Sequence, residues 1–451
     1  MLGNVKMVIV NGCSYILELD QILCGAEVYM ESIELNEIRG WVFKKRVHGK
    51  IIFIDLRTSK GIVQCVFRKN KVSDETWNLA EKVTQESSII LKGVWKDEPR
   101  APGGREFHVK DLTIVHMAES PYPLGKKSHS PEVLMEKRHL AVRGMRYQAI
   151  FKVRHEILRA GREFFIENGW YEVSPPIIVA TACEGGATLF KMKYFDIDAF
   201  LTQSSQLYLE IMIFSLEKVW CLAPSFRAEK SRTRRHLCEF WHLEAEAAWM
   251  NLDGLMELEE NLVSHICSCV ADNCQRELEV LNRDIDALRK VKPPFERITY
   301  DECINRLRAL GKNINWGDDI GGDEEWLLTK DLEKPIFITG YPLHLKAFYV
   351  KEDPNQPGMG LTVDLLAPEG YGEIATGGER EDNLEKLVQR IKAEGFDPSL
   401  YDWYLDLRRY GSVPHSGFGI GIDRLTWWIC GLEHIRDALP FPRLARTMKF
   451  V

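Results

Sequence analysis

The N-terminal quarter of the chain alternates short apolar runs with turn-forming residues, which is typical of β-strands. Residues from about 36 onward are strand-like, and further strands are predicted over 51–56 and 61–67, with Thr58, Ser59 and Gly61 as turn formers between them. A helix is predicted over 73–83, and two more strands over 88–95 and 106–115. Three strands, a helix and two strands predict a five-stranded OB barrel in a domain over 1–118, with another small barrel as the alternative.

The pattern changes after a stretch rich in turn formers and charge, and we interpret 119–145 as a linker or hinge. From about residue 150, apolar side chains recur at helical spacing, as in Ile150, Val153 and Ile157, until Gly169 ends the helix. Strand-like runs then dominate, with helices near 252–281 and 383–395. Such segregation predicts an α+β domain over 146–451 built on an antiparallel sheet.

The composition narrows the class of protein. The 451 residues are 45% hydrophobic and 28% charged with a net charge of −7, which excludes a mostly disordered chain and a membrane bundle. Any nucleic-acid binding must therefore use local basic patches. The opening residues make a poor secretory signal, long apolar runs are absent, and the 11 cysteines form no disulfide framework. We expect a cytoplasmic protein without a membrane span.

The strongest chemical signal lies at 225–240. Four Arg, one Lys and one His fall within 227–236, between strand-like segments at 219–222 and 240–243. This pattern predicts a hairpin whose loop binds an anion, and Arg suits the oxygens of a polyphosphate. Phe240 offers a stacking face for a purine. The alternative is a solvated basic loop.

Two further segments carry weaker signals. Alternating glycines at 417, 419 and 421 lie on a strand and allow a ligand to approach the backbone, and Arg424 follows at the start of a helix. The segment 171–176 ends in two prolines, which suggests an edge or interface strand. The sequence has no Rossmann or P-loop fingerprint.

Together and in this order, the segments at 171–176, 225–240 and 417–425 resemble motifs 1, 2 and 3 of the class II aminoacyl-tRNA synthetases. The resemblance extends from about residue 36 to the end of the chain. It implies an antiparallel catalytic sheet flanked by helices, and a homodimer built partly on motif 1.

The N-terminal barrel narrows the resemblance to the asparagine, aspartate and lysine enzymes, in which such a domain binds the anticodon. Phe53 and Gln64 match the residues that stack on and hydrogen-bond to the middle base of the anticodon, and Arg39 is assigned to the same function. An unstacked base gains free energy on an aromatic platform. The alternative for Phe53 is a buried barrel residue.

Two positions resemble the asparagine enzymes more than the aspartate enzymes. Leu209 stands where aspartate enzymes have a Lys that pairs with the substrate carboxylate, and Glu244 stands where they have Asp. With Arg380 opposite Glu244, the pocket is nearly neutral, which suits a carboxamide because burying an unpaired charge is unfavourable. Thr376 departs from the usual Gly of asparagine enzymes, so an aspartate enzyme, possibly non-discriminating, is the leading alternative.

The resemblance also implies the substrates ATP, L-asparagine and tRNA-Asn, and Mg²⁺ as cofactor. Arg227, Arg424 and Glu373 are the expected catalytic residues. The implied ATP site comprises Arg227, Glu229, Arg235, His236, Leu237, Phe240, Glu373, Gly421 and Arg424. The implied amino-acid site comprises Glu184, Ser204, Gln206, Arg227, Glu244 and Arg380, and the implied Mg²⁺ ligands are Asp364, Glu373 and Thr376.

Two other classes of protein share parts of this pattern. One is a paralogue that makes free asparagine from aspartate through an adenylate, and those relatives lack the anticodon barrel. The other is a non-catalytic RNA-binding module. The complete basic hairpin and the intact 423–425 segment argue against such a module.

Overall fold

The computed structural model describes residues 6–10, 13–17, 35–125, 128–183, 188–230 and 233–445. The chain divides into two compact units, Met1–Gly125 and Lys126–Val451. Across the described ranges, every helix is too short or too polar to cross a membrane.

The first unit contains a five-stranded barrel. Its strands and helix are β1 (Lys6–Val10), β2 (Cys13–Leu17), β3 (Asn36–His48), β4 (Ile51–Thr58), β5 (Gly61–Arg68), α1 (Asp74–Lys82), β6 (Ser88–Asp97) and β7 (Arg105–His116). The barrel closes in the order β3-β4-β5-β7-β6, while β1 and β2 form a separate hairpin. The predicted OB fold is confirmed. Ile52, Ile54 and Phe67 are fully buried in its core, and Ser73 caps α1 by accepting from the Thr76 N–H.

The second unit contains the remaining elements. Its helices are α2 (Pro131–Glu136), α3 (Arg138–Ala141), α4 (Met145–Glu167), α5 (Gln206–Leu216), α6 (Leu252–Asn273), α7 (Gln275–Leu281), α8 (Ile285–Arg289), α9 (Tyr300–Ala309), α10 (Gly322–Thr329), α11 (Leu384–Ala393), α12 (Asp402–Arg409) and α13 (Ile422–Ile429). Its strands are β8 (Tyr171–Glu172), β9 (Ile178–Val179), β10 (Lys191–Tyr194), β11 (Ile197–Leu201), β12 (Lys218–Phe226), β13 (Glu239–Ala248), β14 (Glu296–Thr299), β15 (Ile336–Thr339), β16 (Thr362–Ala367), β17 (Gly372–Glu379) and β18 (His415–Gly421).

An eight-stranded sheet forms the centre of this unit, in the order β14-β15-β16-β17-β18-β13-β12-β8. Its strand pairs are antiparallel except for β14–β15 and β12–β8 at the two edges. This confirms the predicted α+β class with an antiparallel sheet flanked by helices. The strands β17, β18, β13 and β12 lie next to one another, which brings the predicted motif segments onto one sheet.

The predicted linker at 119–145 contains the two short helices α2 and α3. Arg138 of α3 is 2% exposed, and its guanidinium donates to the carbonyls of Arg436, Leu439 and Pro440 at 3.1, 2.8 and 2.8 Å. The second half of the segment is therefore anchored to the body of the second unit, and does not form a free connection. The turn-forming composition of the first half of the segment predicted a linker, and it gave no sign of the Arg138 contacts in the second half.

Candidate active site

One face of the sheet carries a cavity of about 530 Å³, a volume typical of small-ligand sites. Most of the predicted residues line it, whichever segment they come from. They are Ser204, Gln206, Arg227, Glu229, Arg235, His236, Leu237, Phe240, Glu244, Glu373, Thr376, Arg380, Gly421 and Arg424. Asp364 lies outside the lining, and Glu184 lies outside the described residues.

Strand pairing brings Arg227 and Arg424 to the same cavity. β12 and β13 form a hairpin that ends with Phe226 opposite Glu239, and the Arg227 N–H donates to the Cys238 carbonyl at 2.9 Å. β13 also pairs with β18, where His242 lies opposite Gly421, just before α13. Guanidinium groups nearly two hundred residues apart in sequence therefore face one ligand space.

The residue before Arg424 fixes the start of α13. Asp423 is 1% exposed, pairs with Arg154 of α4 at 2.6 Å and accepts from the Trp241 N–H at 2.8 Å. The carboxylate thus ties α4, β13 and α13 together at the wall of the cavity. It supports the direction in which Arg424 leaves the helix.

Phe240 forms an aromatic surface beside the basic hairpin. The Arg227 guanidinium carbon lies 5.6 Å from the centre of its ring, and the His242 ring meets it edge-on at 4.7 Å. These contacts hold the ring in place next to the cations. The arrangement suits a purine whose phosphates extend toward Arg227.

Arg424 and Glu373 form the opposite wall. Arg424 Nη1 donates to Glu373 Oε1 at 2.7 Å and to the Glu373 carbonyl at 2.9 Å. Burial alone would raise the pKa of Glu373. The nearby charges lower it, and they come from Arg424, Arg235, Lys346 and Arg227. Glu373 therefore stays ionised within a group of cations.

The two histidines near these cations are electrically neutral at neutral pH. Burial, together with Arg424 and Arg235, lowers the pKa of His236 to about 4. Burial, together with Arg227 and Arg424, lowers the pKa of His242 to about 3. The histidines therefore add no positive charge to that of the arginines and Lys346 around Glu373.

Asp364, one of the predicted metal ligands, has protein side chains bonded to both of its carboxylate oxygens. Lys346 Nζ donates to its Oδ1 and Oδ2 at 3.0 and 2.8 Å, and the Thr376 hydroxyl donates to Oδ1 at 2.6 Å. A lysine that sequence reasoning did not select thus already balances the charge of Asp364. Of the predicted metal set, Glu373 and Thr376 line the cavity, while Asp364 supports Lys346 and Thr376 from behind.

Ser204, Gln206 and Glu244 come together at the other end of the cavity. The Glu244 carboxylate accepts from the Ser204 hydroxyl and from the Ser205 N–H, the latter at 2.9 Å to Oε2. The Gln206 side chain donates to Glu210 Oε1 at 3.0 Å. The turn into α5 is therefore attached directly to β13.

Arg380 pairs with Glu246, whereas the sequence prediction placed it opposite Glu244. Arg380 Nε donates to Glu246 Oε1 at 3.0 Å, and Glu246 Oε2 has no hydrogen-bond donor among the described residues. Glu246 was missed although it is two positions after Glu244 on a strand, where alternate side chains share a face. That period of two was the available signal.

The alternating glycines of β18 make room for these glutamates. A β-carbon on Gly417 would lie 2.0 Å from the Glu246 carboxyl carbon, and one on Gly419 would lie 3.4 Å from Glu244 Cγ. The sequence analysis predicted that a ligand would lie against the glycines of β18. Side chains of β13 occupy part of that space.

A buried network around Glu210 influences Glu246 and Arg380 through its charge. Glu210 Oε2 accepts from Arg408, His415 and Tyr404 at 2.8, 2.9 and 2.7 Å. Burial alone would raise the pKa of Glu210, but Arg408 and His415 lower it. Burial, helped by the charge of Glu210, raises the pKa of Glu246 against the influence of Arg380.

The predicted anticodon residues divide into two places on the barrel. Phe53 is half-buried, with the Arg46 guanidinium carbon 5.7 Å from its ring centre. Gln64 accepts from Arg46 at 3.0 Å and donates to Glu106 at 2.7 Å, so it belongs to the same surface. Arg39 lies further back along β3, where that strand pairs with β6, and its guanidinium bonds Glu37 at 2.8 Å.

Comparisons with known proteins agree with this architecture. Residues 130–445 match the family of class II tRNA synthetases (D, K and N), and 37–115 match the OB-fold nucleic acid binding domain. The asparagine–tRNA ligase of Pyrococcus abyssi is 54% identical over 408 residues, which are 90% of this chain and 94% of that relative.

Two solved structures share the fold over almost the same span. Asparaginyl-tRNA synthetase from Pyrococcus horikoshii with asparaginyl-adenylate is 53% identical with a TM-score of 0.89, over 92% of this chain and 96% of that one. The Entamoeba histolytica asparaginyl-tRNA synthetase with asparaginyl-adenylate is 34% identical with a TM-score of 0.84, over 92% and 96%. The chain therefore belongs to the class II tRNA synthetases of the D, K and N group.

Proposed function

We propose that the protein activates L-asparagine with ATP to give asparaginyl-adenylate, and then transfers the asparaginyl group to the 3′ end of tRNA-Asn. The observation that carries the proposal is that Arg227 and Arg424 line the same cavity as the Arg380–Glu246 pair. The relatives and solved structures that carry the asparagine enzyme's name support it.

Adenylate formation in this site depends on positioning and charge neutralisation, without a protein nucleophile. A carboxylate oxygen of asparagine attacks the α-phosphorus, and the bond to the bridging oxygen breaks, so that pyrophosphate leaves with the electron pair. Arg227 is assigned to the α-phosphate and the substrate carboxylate. Arg424, Arg235 and His236 are assigned to the β- and γ-phosphates.

The adenine end and the second step complete the cycle. Phe240 offers its ring to the adenine, with Glu229, Leu237 and Gly421 around it. In the transfer step, a ribose hydroxyl at the 3′ end of tRNA attacks the carbonyl carbon of the adenylate, and AMP leaves.

The residues present fit Mg²⁺ only in part. Glu373 is the best ligand, because it stays ionised and faces the cavity, and the Thr376 hydroxyl oxygen is a candidate second ligand. Both oxygens of Asp364 accept from Lys346, whereas Arg424 bonds only Oε1 of the Glu373 carboxylate, so Asp364 is not assigned to the ion. When bound with ATP, Mg²⁺ would neutralise charge on the phosphate oxygens.

Amide selectivity is assigned to Arg380 and Glu246. The carboxamide oxygen would accept from Arg380, and the NH₂ group would donate to Glu246 Oε2, the buried oxygen without a donor. An aspartate side chain would instead bring a second negative charge toward Glu246, and could not donate to it. Ser204, Gln206 and Glu244 are assigned to the ammonium end, as is Glu184.

The remaining partner assignments follow the family. Phe53 and Gln64 are proposed to bind the anticodon, and Arg39 remains a separate prediction. A homodimer is proposed through the motif 1 segment, where Tyr171 is exposed, as are Ile166 before the segment and Ile178 after it. A cytoplasmic location remains a prediction of the sequence.

Charging assays with purified tRNAs test the proposal. We expect ATP-dependent attachment of asparagine to tRNA-Asn, and pyrophosphate exchange with asparagine far above that with aspartate. Equal kcat/KM for the two amino acids would defeat the assigned selectivity, and efficient aspartate charging would establish the aspartate alternative. Free asparagine formed from aspartate, ATP and ammonia without tRNA charging would establish the paralogue.

A further inference from the structure

Helix α10 brings a buried carboxylate against the outside of the arginine-rich half of the cavity. Glu325 is 4% exposed and does not line the cavity, but its partners Arg235 and Glu373 do. Its Oε2 atom accepts from the Glu373 N–H at 2.7 Å and pairs with Arg235 Nη1. One oxygen atom therefore joins the basic hairpin to strand β17.

Glycines at three positions permit this close approach. Gly372 has a φ of +72°, and a β-carbon there would lie 2.3 Å from Glu325 Oε2. A β-carbon on Gly322 would lie 3.1 Å from the Arg235 guanidinium carbon, and one on Gly370 would lie 2.5 Å from Trp326 Cδ1. The helix, the arginine and the strand thus meet with no space for intervening side chains.

The ion pair between Glu325 and Arg235 offsets repulsion among the cations of the cavity. Arg227, Arg235 and Arg424 share the lining of one cavity, so without a ligand they repel one another. Arg424 is held by Glu373, and Arg235 by Glu325. Because Glu325 also bonds the backbone of Glu373, both holding carboxylates belong to one connected unit.

We propose that Glu325 is a positioning residue for ATP, which fixes the Arg235 guanidinium toward the β- and γ-phosphates and fixes the backbone at Glu373. The inference rests on the proposed function and goes beyond it, because Glu325 does not line the cavity. Its loss should weaken the binding of the triphosphate end only. The adenine and asparagine ends depend on other residues, Phe240 and Arg380 among them.

Steady-state pyrophosphate exchange with Glu325→Ala tests the inference. We expect the KM for ATP to rise about 10- to 100-fold, the range for a lost hydrogen bond to a charged group. The KM for asparagine and the affinity for a non-hydrolysable asparaginyl-adenylate analogue, which has no β- or γ-phosphate, should stay within about twofold of wild type. Glu325→Gln keeps the shape and one acceptor, and should recover part of the ATP affinity.

Glu324→Ala is the matched control, because Glu324 lies on the same turn but pairs with Lys312 at 2.8 Å. It should leave all three constants unchanged. An unchanged ATP KM in both Glu325 variants, or equal losses for ATP, asparagine and the analogue, would overturn the positioning role. Should the Ala variant not fold, the Gln variant decides by the same criteria. A wild-type chain without asparagine-dependent exchange would overturn the proposed function and this inference together.

Discussion

Arg380 and Glu246 form a buried ion pair at the amino-acid end of the cavity, and Glu246 keeps one oxygen without a donor among the described residues. The pair is nearly neutral as a unit, yet it presents a donor and an acceptor side by side. A carboxamide satisfies both, and a carboxylate satisfies only the donor. Selection against aspartate would therefore depend on the acceptor.

Glu246→Gln should weaken the preference for asparagine over aspartate. The substitution removes the negative charge that repels a substrate carboxylate, and it supplies an amide in place of a charged acceptor. We expect the ratio of kcat/KM for asparagine to that for aspartate to fall about 10- to 100-fold, which corresponds to one hydrogen bond to a charged group. Pyrophosphate exchange with each amino acid measures the ratio.

Glu259→Gln is the control for this prediction. Glu259 is as deeply buried as Glu246 but does not line the cavity, and burial raises its pKa well above the usual range. Because burial disfavours the charged form of this carboxyl, the neutral amide of the same shape should be well tolerated and the ratio unchanged. If both variants keep the wild-type ratio, Glu246 does not determine selectivity.

Glu373→Gln should raise the Mg²⁺ concentration needed for activity. An amide is a weaker ligand for a hard cation than a carboxylate, so half-saturation in pyrophosphate exchange should require at least about tenfold more Mg²⁺. The Arg424 contact with the Glu373 carbonyl survives the change, which limits damage to the cavity wall.

Asp364→Asn separates the two predicted carboxylate ligands. Since Lys346 and Thr376 occupy the Asp364 carboxylate, its replacement should leave the half-saturating Mg²⁺ concentration unchanged, whatever happens to kcat. A similar rise in both variants would return Asp364 to the metal set. That result would show that Lys346 gives way when the ion binds.

The sequence predicted the parts of the site that depend on local pattern. Basic residues between two strand segments indicated an anion-binding hairpin, and Arg424 after the glycine-rich strand indicated a second cation. Both line the cavity. The barrel could be predicted equally well from the sequence, because β-branched runs, turns and one capped helix define it locally.

Partner choice within the site was not predictable in the same way. Glu244 and Glu246 share a strand face, but Glu244 accepts from Ser204 and the Ser205 N–H, while Glu246 pairs with Arg380. Lys346 and Glu325 reach the site from segments without any motif. Glu325 follows two other acidic residues at the start of α10, a pattern that is typical of a solvated helix terminus.

Phe53→Ala on the barrel should weaken tRNA binding without affecting amino-acid activation. A base that stacks on an aromatic ring loses about 1–3 kcal/mol when the ring is removed, so the KM for tRNA-Asn should rise about tenfold or more. Phe53→Tyr keeps the ring and should restore most of the affinity. Pyrophosphate exchange without tRNA should match wild type in both, and an Ala variant with normal tRNA KM would contradict the stacking role.

The buried histidine beside the cations should make stability depend on pH. The folded-state pKa of His242, about 3, lies below its unfolded value of 6.5, so only the unfolded chain takes up this proton as the pH falls through that interval. The stabilisation is complete above pH ~6.5 and is lost toward lower pH, by up to about 1.4 kcal/mol per pH unit.

His242→Gln, which can still bond the Ser225 hydroxyl, removes this contribution. The melting temperature of wild type should therefore fall relative to that of His242→Gln between pH 7 and 5. Parallel curves for His242→Gln would mean that its imidazole is not kept neutral by burial.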